Sequence, residues 1–234
     1  VFKLASELEM YNTERQLLEK NLLVSIINDA KKVTDPVIVL SGTNWHEGII
    51  GIIASRVKDK LNKPTILISL NGSVGKASAR SIVGFDIGSV IISAVQDGIL
   101  QKGGGHKMAG GFTVNKNDIE NFKNFINRKF STLNINLSSE QKIYIDSVVA
   151  PSAVNLDFFN KINCLAPFGS GNREPKFSIE NVRSINSKII ANKHIKSILL
   201  GSDGSTVKSI AYNALDCDVG AYLLKKDNKT FNMV

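Results

Sequence analysis

From Lys3 to Lys32 the apolar residues Leu4, Leu8, Tyr11, Leu18 and Leu22 recur at helical spacing amid dense interleaved charge, with neither glycine nor proline before Pro36. That pattern predicts one long helix with a single apolar stripe. Such a stripe needs a neighbour, and because the chain begins with Val1 instead of methionine, the neighbour is expected upstream. Asp35 and Pro36 break the helix. Val37 to Leu40 reads as a buried strand followed by a turn over Ser41 to Asn44, and Gly48 to Leu61 carries a helical face of Ile49, Ile52, Ile53 and Val57. Within that helix Gly51 permits close approach to a strand. A second strand is expected over Thr65 to Leu70, a loop over Asn71 to Gly84, and a helix from Asp86 to about Leu100. A glycine cluster, a strand at Gly111 to Val114 and a helix from about Asp118 to Phe130, capped by Asn117, complete this part. Strands alternating with helices indicate an α/β or α+β layer structure.

Beyond Thr132 the texture changes. Lys142 to Val149, Phe177 to Val182, Ser184 to Ala191, Ile195 to Gly201 and Thr206 to Asn213 are short strand-like runs separated by Asn, Lys, Gly and Asp, and only Asn155 to Asn163 reads as a helix. Several short strands in about 100 residues predict a small all-β barrel, and the OB-fold is a barrel often used on single-stranded nucleic acid. A purely structural barrel stays open beside that reading. Phe231 to Val234 reads as strand, so further barrel strands are expected beyond it.

With 43% hydrophobic and 21% charged residues over 234 positions, the composition excludes disorder as the main state. The longest apolar runs, such as Ile49 to Ala54, fall well short of the roughly 18 residues a membrane span needs, and no signal segment opens the chain. A cytoplasmic protein without a membrane partner is expected. Cys164 and Cys217 show no CxxC spacing, which argues against a disulfide framework or thiolate zinc site; both read as small buried residues.

A net charge of +8 favours a polyanion as partner. Its excess lies outside the opening helix: residues 1–34 hold five basic and five acidic side chains, against twelve and seven over residues 35–132.

Three constellations carry candidate chemistry. Gly103, Gly104 and Gly105 deny the backbone any side-chain shield, so a charged group can approach bare N–H groups, and His106 follows directly. Helix capping by these glycines and a structural histidine are the alternatives. Lys76, Ser78, Arg80 and Ser81 put an ammonium, a guanidinium and two hydroxyls into six residues, and if the segment is extended, Ser78 and Arg80 point the same way. A planar fork plus a hydroxyl can hold two oxygens of one terminal phosphate, although a solvated polar loop fits as well. Trp45, His46, Glu47 and Gly48 open the helix that continues to Arg56. Helix-start N–H groups attract phosphate, while Trp45 as a core plug and His46 as a cap are the plainer readings.

In this order, WHEGIIGIIASR at 45–56, KASARS at 76–81, GGGHKMAGG at 103–111 and LAPFGSGNREPKF at 165–177 resemble the C-terminal part of the bacterial RecJ single-strand-specific exonucleases, of the DHH phosphoesterase superfamily. YNTERQLLE at 11–19 is similar to that family's interdomain helix. Arg173 departs from the pattern, which has proline there. The resemblance implies an interdomain linker helix over 1–34, an α/β (α+β) DHH-associated domain over 36–132 and an OB-type barrel over 140–234, truncated at its end. It further implies 5′ to 3′ hydrolysis of single-stranded DNA in repair and recombination, by a monomer.

In that family Mn2+ or Mg2+ is held by Asp and His residues of a separate N-terminal DHH domain, which nothing here matches. Carried over residue by residue, Ser78, Arg80 and Ser81 hold the 5′-terminal phosphate, and Gly104, Gly105 and His106 reach the phosphate near the scissile bond; Lys76, His46 and Arg56 are further candidate phosphate contacts from their own motifs. His106 takes the catalytic role. Partners so implied are single-stranded DNA, the missing DHH domain and, left open, a helicase or single-strand-binding protein. Two other readings stay open: a non-catalytic single-stranded nucleic-acid-binding module, or part of another DHH-associated oligonucleotide phosphodiesterase.

Overall fold

Val37 and Val39 face one way along their strand and Ile38 the other, and all three are buried. Ile66 and Ile68 oppose Leu67 in the same fashion. A sheet whose both faces are buried needs helices on each side, and this two-sided apolar code produces a helix–sheet–helix sandwich. The computed structural model describes residues 2–133, 135, 143–169, 171–225 and 229–234, in two compact units, Val1–Ser139 and Glu140–Val234.

In the first unit the elements run α1 (Phe2–Ala30), β1 (Ile38–Thr43), α2 (Glu47–Leu61), β2 (Thr65–Asn71), β3 (Val74–Arg80), α3 (Ile87–Gln96), β4 (Lys102–His106), β5 (Ala109–Asn115) and α4 (Ile119–Ser131). The sheet order is β1-β2-β3-β5-β4. Only β1 and β2 are parallel, joined through α2; the other pairs are antiparallel. One face packs Val37, Ile66, Ala79, Phe112 and Val114 against Ile87 and Ile91 of α3 and Phe122 and Ile126 of α4. The other packs Ile38 and Leu67 against Ile49, Ile50, Ile53 and Val57 of α2, with Ile26 and Ala30 of α1 closing over them. Leu4, Leu8, Tyr11 and Leu18, the earlier part of the expected stripe, stay exposed.

Several expectations need correcting. The stretch from Asn71 is not a loop: it turns at Gly72, whose φ is 60°, and returns as β3. The turn expected over Ser41–Asn44 is mostly strand, since β1 pairs with β2 as far as Thr43. The helix from Asp86 ends at Gln96, because Gly98 at φ 73° leaves the helical region. The triple glycine is therefore neither a cap nor a turn but the edge strand β4, paired residue for residue with β5. Asn117 does not cap α4; it lies in a 3-10 turn, and Asp118 precedes the helix without a side-chain cap.

Asp86 does cap α3, its Oδ1 accepting from Ser89 N–H at 3.0 Å. That backbone hydrogen bond, with the charge of Lys107, holds its carboxyl below the usual carboxylate range. A lowered pKa means stability present at neutral pH and lost as acid protonates the group, below about pH 4. Asp86→Asn is expected to lower the thermal midpoint at pH 7 and to flatten its fall between about pH 5 and pH 3; melting curves across that range check it, and an unchanged slope counts against the assignment.

The second unit contains β6 (Ser147–Val148), α5 (Leu156–Asn163), β7 (Phe177–Ile190), β8 (His194–Leu200), β9 (Thr206–Ala211), α6 (Asp218–Leu224) and β10 (Phe231–Met233). Two expected strands, Phe177–Val182 and Ser184–Ala191, are one: β7 gives its first half to β10 and its second to β8, with an irregularity at Ser184/Asn186. A strand that changes partners midway bends, and the sheet, ordered β10-β7-β8-β9, curls over Ile179, Val182, Ile195, Leu199 and Val207. The strand expected from Lys142 begins outside the described residues and yields only β6; α6 was not expected. Both cysteines are exposed, not buried: each is at the end of a short helix, its thiol on a backbone carbonyl of Asn160 or Ala214. Among the described residues no helix is long and apolar enough to cross a membrane.

Candidate functional site

Because β3 is extended, Lys76, Ser78 and Arg80 share one face, the face covered by α2, while Ala77 and Ala79 turn into the opposite core. The register carries this face across the sheet. Ser78 pairs with Gly111 and Gly111 with Gly104; Arg80 pairs with Ala109 and Ala109 with His106. Ser78, Arg80, Gly104 and His106 thus occupy two adjacent rows, the arginine and histidine about 10 Å apart across one intervening strand. Between them lie only Ala109 and Gly111. The two segments singled out from the sequence border one strip of this sheet face, a trench only in the sense that its middle, at Ala109 and Gly111, carries almost no side chain.

Its walls are uneven. On the α2 side, Arg80 is half-buried, its Nη1 donating to Ser78 Oγ at 3.1 Å and to Ala79 O at 2.9 Å. Gly51 of α2 lies directly above: a Cβ there would stand 2.9 Å from Ser78 Oγ and 3.0 Å from Arg80 Nη2. Among the described residues no carboxylate lies within ion-pair distance of Arg80. A half-buried guanidinium without a counter-charge is costly, and its remaining N–H groups suit an anion.

At the other side, His106 Nδ1 accepts from Met108 N–H at 3.4 Å, which leaves Nε2 to carry the hydrogen in the neutral ring. Among the described residues Nε2 has no partner. Gly103 and Gly105 face the opposite way: added Cβ atoms would collide with Ile91 and Phe112, or with the backbone of Ala109 and Gly110, while Gly88 of α3 sits against the backbone of Gly105 and His106. Gly104 has nothing within 4 Å of a built Cβ. It has no positive φ either, so neither crowding nor backbone conformation requires glycine there. What its bareness provides is access.

The other candidates are differently placed. Ser81 is corrected: it is buried, and its hydroxyl donates to Phe85 O at 2.6 Å, on the core side of the chain. Arg56 is also corrected, because its Nη2 lies 2.7 Å from Oε1 of Glu19, a buried α1 carboxylate whose Oε2 accepts from Arg15 at 3.0 Å. It fastens α1 to α2. Lys76 sits in the trench face but pairs with Glu47 at 2.8 Å. His46 is the N-cap of α2, its Nδ1 accepting from Gly48 N–H at 3.1 Å, and Trp45 packs beside that cluster. Both plainer readings hold.

The second unit carries a basic face that residue-by-residue reading missed. Lys188 stands directly opposite Lys196, and Lys208 opposite Ile198, on the outward side of β7, β8 and β9. Like charges in cross-strand register destabilise a sheet, and among the described residues none of the three lysines has a carboxylate partner. His194 and the exposed Tyr212 form an edge-on ring pair, centroids 5.3 Å apart, near the start of β8. The signal was available as one lysine in each of three successive strands, but it needs the register to bring them onto one face. The loop of the fourth motif is organised by Asn172, whose Nδ2 donates to the carbonyls of Leu165 and Pro167; Arg173 is exposed beside it.

Among the described residues no three His, Cys, Asp or Glu side chains cluster as metal ligands. The trench residues, cationic and hydroxylic, fit an anion and do not fit a divalent cation.

Residues 34–132 match the DHHA1 domain family and residues 145–232 the RecJ OB domain family. The chain is 29% identical over 219 residues to the single-stranded-DNA-specific exonuclease RecJ of Bacillus subtilis, covering 90% of this chain and 27% of that protein. It is 24% identical to the Escherichia coli protein of the same name, covering 90% and 38%. The chain thus spans well under half the length of these relatives. Among solved structures it is similar to RecJ from Thermus thermophilus in complex with Mn2+, with a TM-score of 0.68 and 25% identity over 92% of this chain and 31% of that one. A manganese-bound exonuclease RecJ matches 58% of this chain and 34% of its own at 28% identity and a TM-score of 0.51.

Proposed function

The chain joins a DHHA1 domain to a RecJ OB domain and belongs with the RecJ proteins it matches; from that premise we propose that it is the strand-holding C-terminal region of a 5′ to 3′ single-stranded-DNA exonuclease of DNA repair and recombination. Residues 1–34 serve as linker helix, 36–132 as the phosphate-binding domain and 140–234 as the barrel that follows. The observation that carries this reading is the shared trench: Arg80 and Ser78 on one wall, His106 on the other, and bare Gly104 and Gly111 between them. A terminal phosphate seats its oxygens on the Arg80 fork and the Ser78 hydroxyl. Gly104 and Gly105 let the backbone approach, and Nε2 of His106 donates to a phosphoryl oxygen. Lys76 lines the same face. On the second unit, taken by itself, Lys188, Lys196 and Lys208 offer a basic face to the backbone of a single strand, with Tyr212 as a stacking surface.

In this reading Mn2+ or Mg2+ belongs to the intact enzyme and is held by a DHH domain outside this sequence, since the trench offers no ligand set. The metals supply the activated water; this chain's residues position the strand. The isolated chain then binds and does not cut.

One titration tests both statements. The 234-residue chain is expected to bind a 5′-phosphorylated oligothymidylate about tenfold more tightly than its 5′-hydroxyl counterpart at moderate salt, and to leave it intact in manganese. Equal affinities for the two ends overturn the phosphate seat, and degradation overturns the division of labour.

A further inference from the structure

Glycine in the interior of a helix is less stable than alanine there, so what surrounds such a position bears on what it does. Gly51 is the fifth residue of the 15-residue helix α2. It has no positive φ, which removes any backbone reason. The three atoms nearest the position where its Cβ would be all belong to two side chains of that face: Ser78 Oγ at 2.9 Å and the Arg80 guanidinium, with Nη2 at 3.0 Å and Cζ at 3.7 Å. Neither contact is to backbone. These are the mobile ends of flexible side chains, which can swing aside, so the fold tolerates a methyl group here at the expense of the guanidinium's position. Compare Gly105, whose Cβ would meet Ala109 O at 2.4 Å and Gly110 Cα at 2.6 Å, atoms that cannot move without breaking the hairpin.

We propose that Gly51 is a positioning residue for phosphate recognition: its missing side chain is the slot in which the Arg80 guanidinium lies flat against α2, locked to Ser78 and aimed along the trench. The slot acts on geometry alone. Arg80 Nη1 is bonded to Ser78 Oγ and Ala79 O while Nη2 lies 3.0 Å from where a Cβ at position 51 would stand, and a planar, two-pronged donor discriminates a terminal phosphate through its direction more than through its charge. A methyl at position 51 pushes the fork off Ser78 and tilts it towards solvent. There it still attracts polyanions, but as a screened, undirected charge. Gly51 therefore sets the preference for a phosphorylated end and leaves general affinity for the strand untouched.

This inference rests on the trench being a phosphate seat, so the experiment measures Gly51→Ala and Arg80→Ala side by side in the 234-residue chain. Binding of 5′-phosphorylated and 5′-hydroxyl oligothymidylate is titrated, with a melting curve for each variant. Gly51→Ala is expected to melt at the wild-type temperature or a few degrees above it, to lose about tenfold in affinity for the phosphorylated strand, and to bind the hydroxyl strand as wild type does. Gly51→Ser, with a larger side chain in the same slot, loses at least as much. If Gly51→Ala keeps the wild-type preference while Arg80→Ala loses it, the positioning role is refuted and the seat stands. If Arg80→Ala keeps the preference, the seat itself is refuted. A melting temperature that falls together with affinity for both ends marks Gly51 as a packing residue and likewise refutes the role.

Discussion

Arg80→Ala is expected to weaken binding of a 5′-phosphorylated single strand by about 1.5–3 kcal/mol, or roughly 10- to 150-fold, while changing the affinity for a 5′-hydroxyl strand little. The asymmetry follows from where Arg80 sits. Exposed lysines such as Lys188 and Lys196 contribute through counterion release, a term that every phosphate of the strand feeds and that salt erodes. Arg80 is half-buried, held by Ser78 Oγ and Ala79 O, and without a carboxylate partner among the described residues. It is screened less than the lysines and its fork is directed. Removing it therefore deletes a specific contact, and the loss persists as salt rises. A uniform, salt-dependent loss for both strand ends instead makes Arg80 one more general charge.

His106 contributes differently. Its ring is exposed on the edge strand and, among the described residues, oriented only by the Met108 amide, which donates to Nδ1; in the proposed seat Nε2 would donate one hydrogen bond. In the intact metal-loaded enzyme, His106→Ala is expected to reduce turnover more than it reduces strand affinity, because a donor aimed at developing phosphoryl charge acts chiefly in the transition state. Comparing kcat with the 5′-phosphate Kd in the same variant separates the two effects. Unchanged turnover removes the histidine from the chemistry.

How much of this arrangement could be read along the chain depended on whether the cause was local. The period of two put Ser78 and Arg80 on one side only on the condition that their segment be extended; the segment read as a loop, and β3 supplies the condition. The capping role of His46 was legible outright, since the Gly48 amide is two residues away. Where the cause was tertiary, reading failed. A run of three glycines carries no strand preference, so β4 looked like a turn; it is a strand because β5 supplies its ladder and because α3 presses on a surface where only glycine fits. Arg56 and Ser81 sat in the right motifs. Their partners, Glu19 on α1 and the Phe85 carbonyl, were fixed by folding. The continuous β7 was split at Arg183, between Phe177–Val182 and Ser184–Ala191, because the polar residues there read as a break; Asn181 has a positive φ and the register shifts near Ser184, yet β10 and β8 pair on either side.

Two neighbouring glycines of the same motif should then behave in opposite ways. Gly105→Ala is expected to destabilise the first unit by about 1–3 kcal/mol, since its methyl overpacks the Ala109 carbonyl and Gly110 Cα within the hairpin. Gly104→Ala is expected to leave the melting temperature within a degree or two of wild type, because open space receives the methyl and alanine restricts the unfolded chain more than glycine does. Its effect falls on binding instead. A methyl in the row between Ser78 and the trench rim stands where the strand's backbone must approach, and the affinity for a phosphorylated strand falls while the fold stays intact. The pair needs only melting curves and titrations of two purified variants. If Gly104→Ala binds like wild type, the open side of β4 is not where the strand lies, however well Arg80 holds its phosphate. If both variants melt alike, the alternation that puts Gly105 against α3 and Gly104 in the trench is wrong, and with it the face on which His106 is placed.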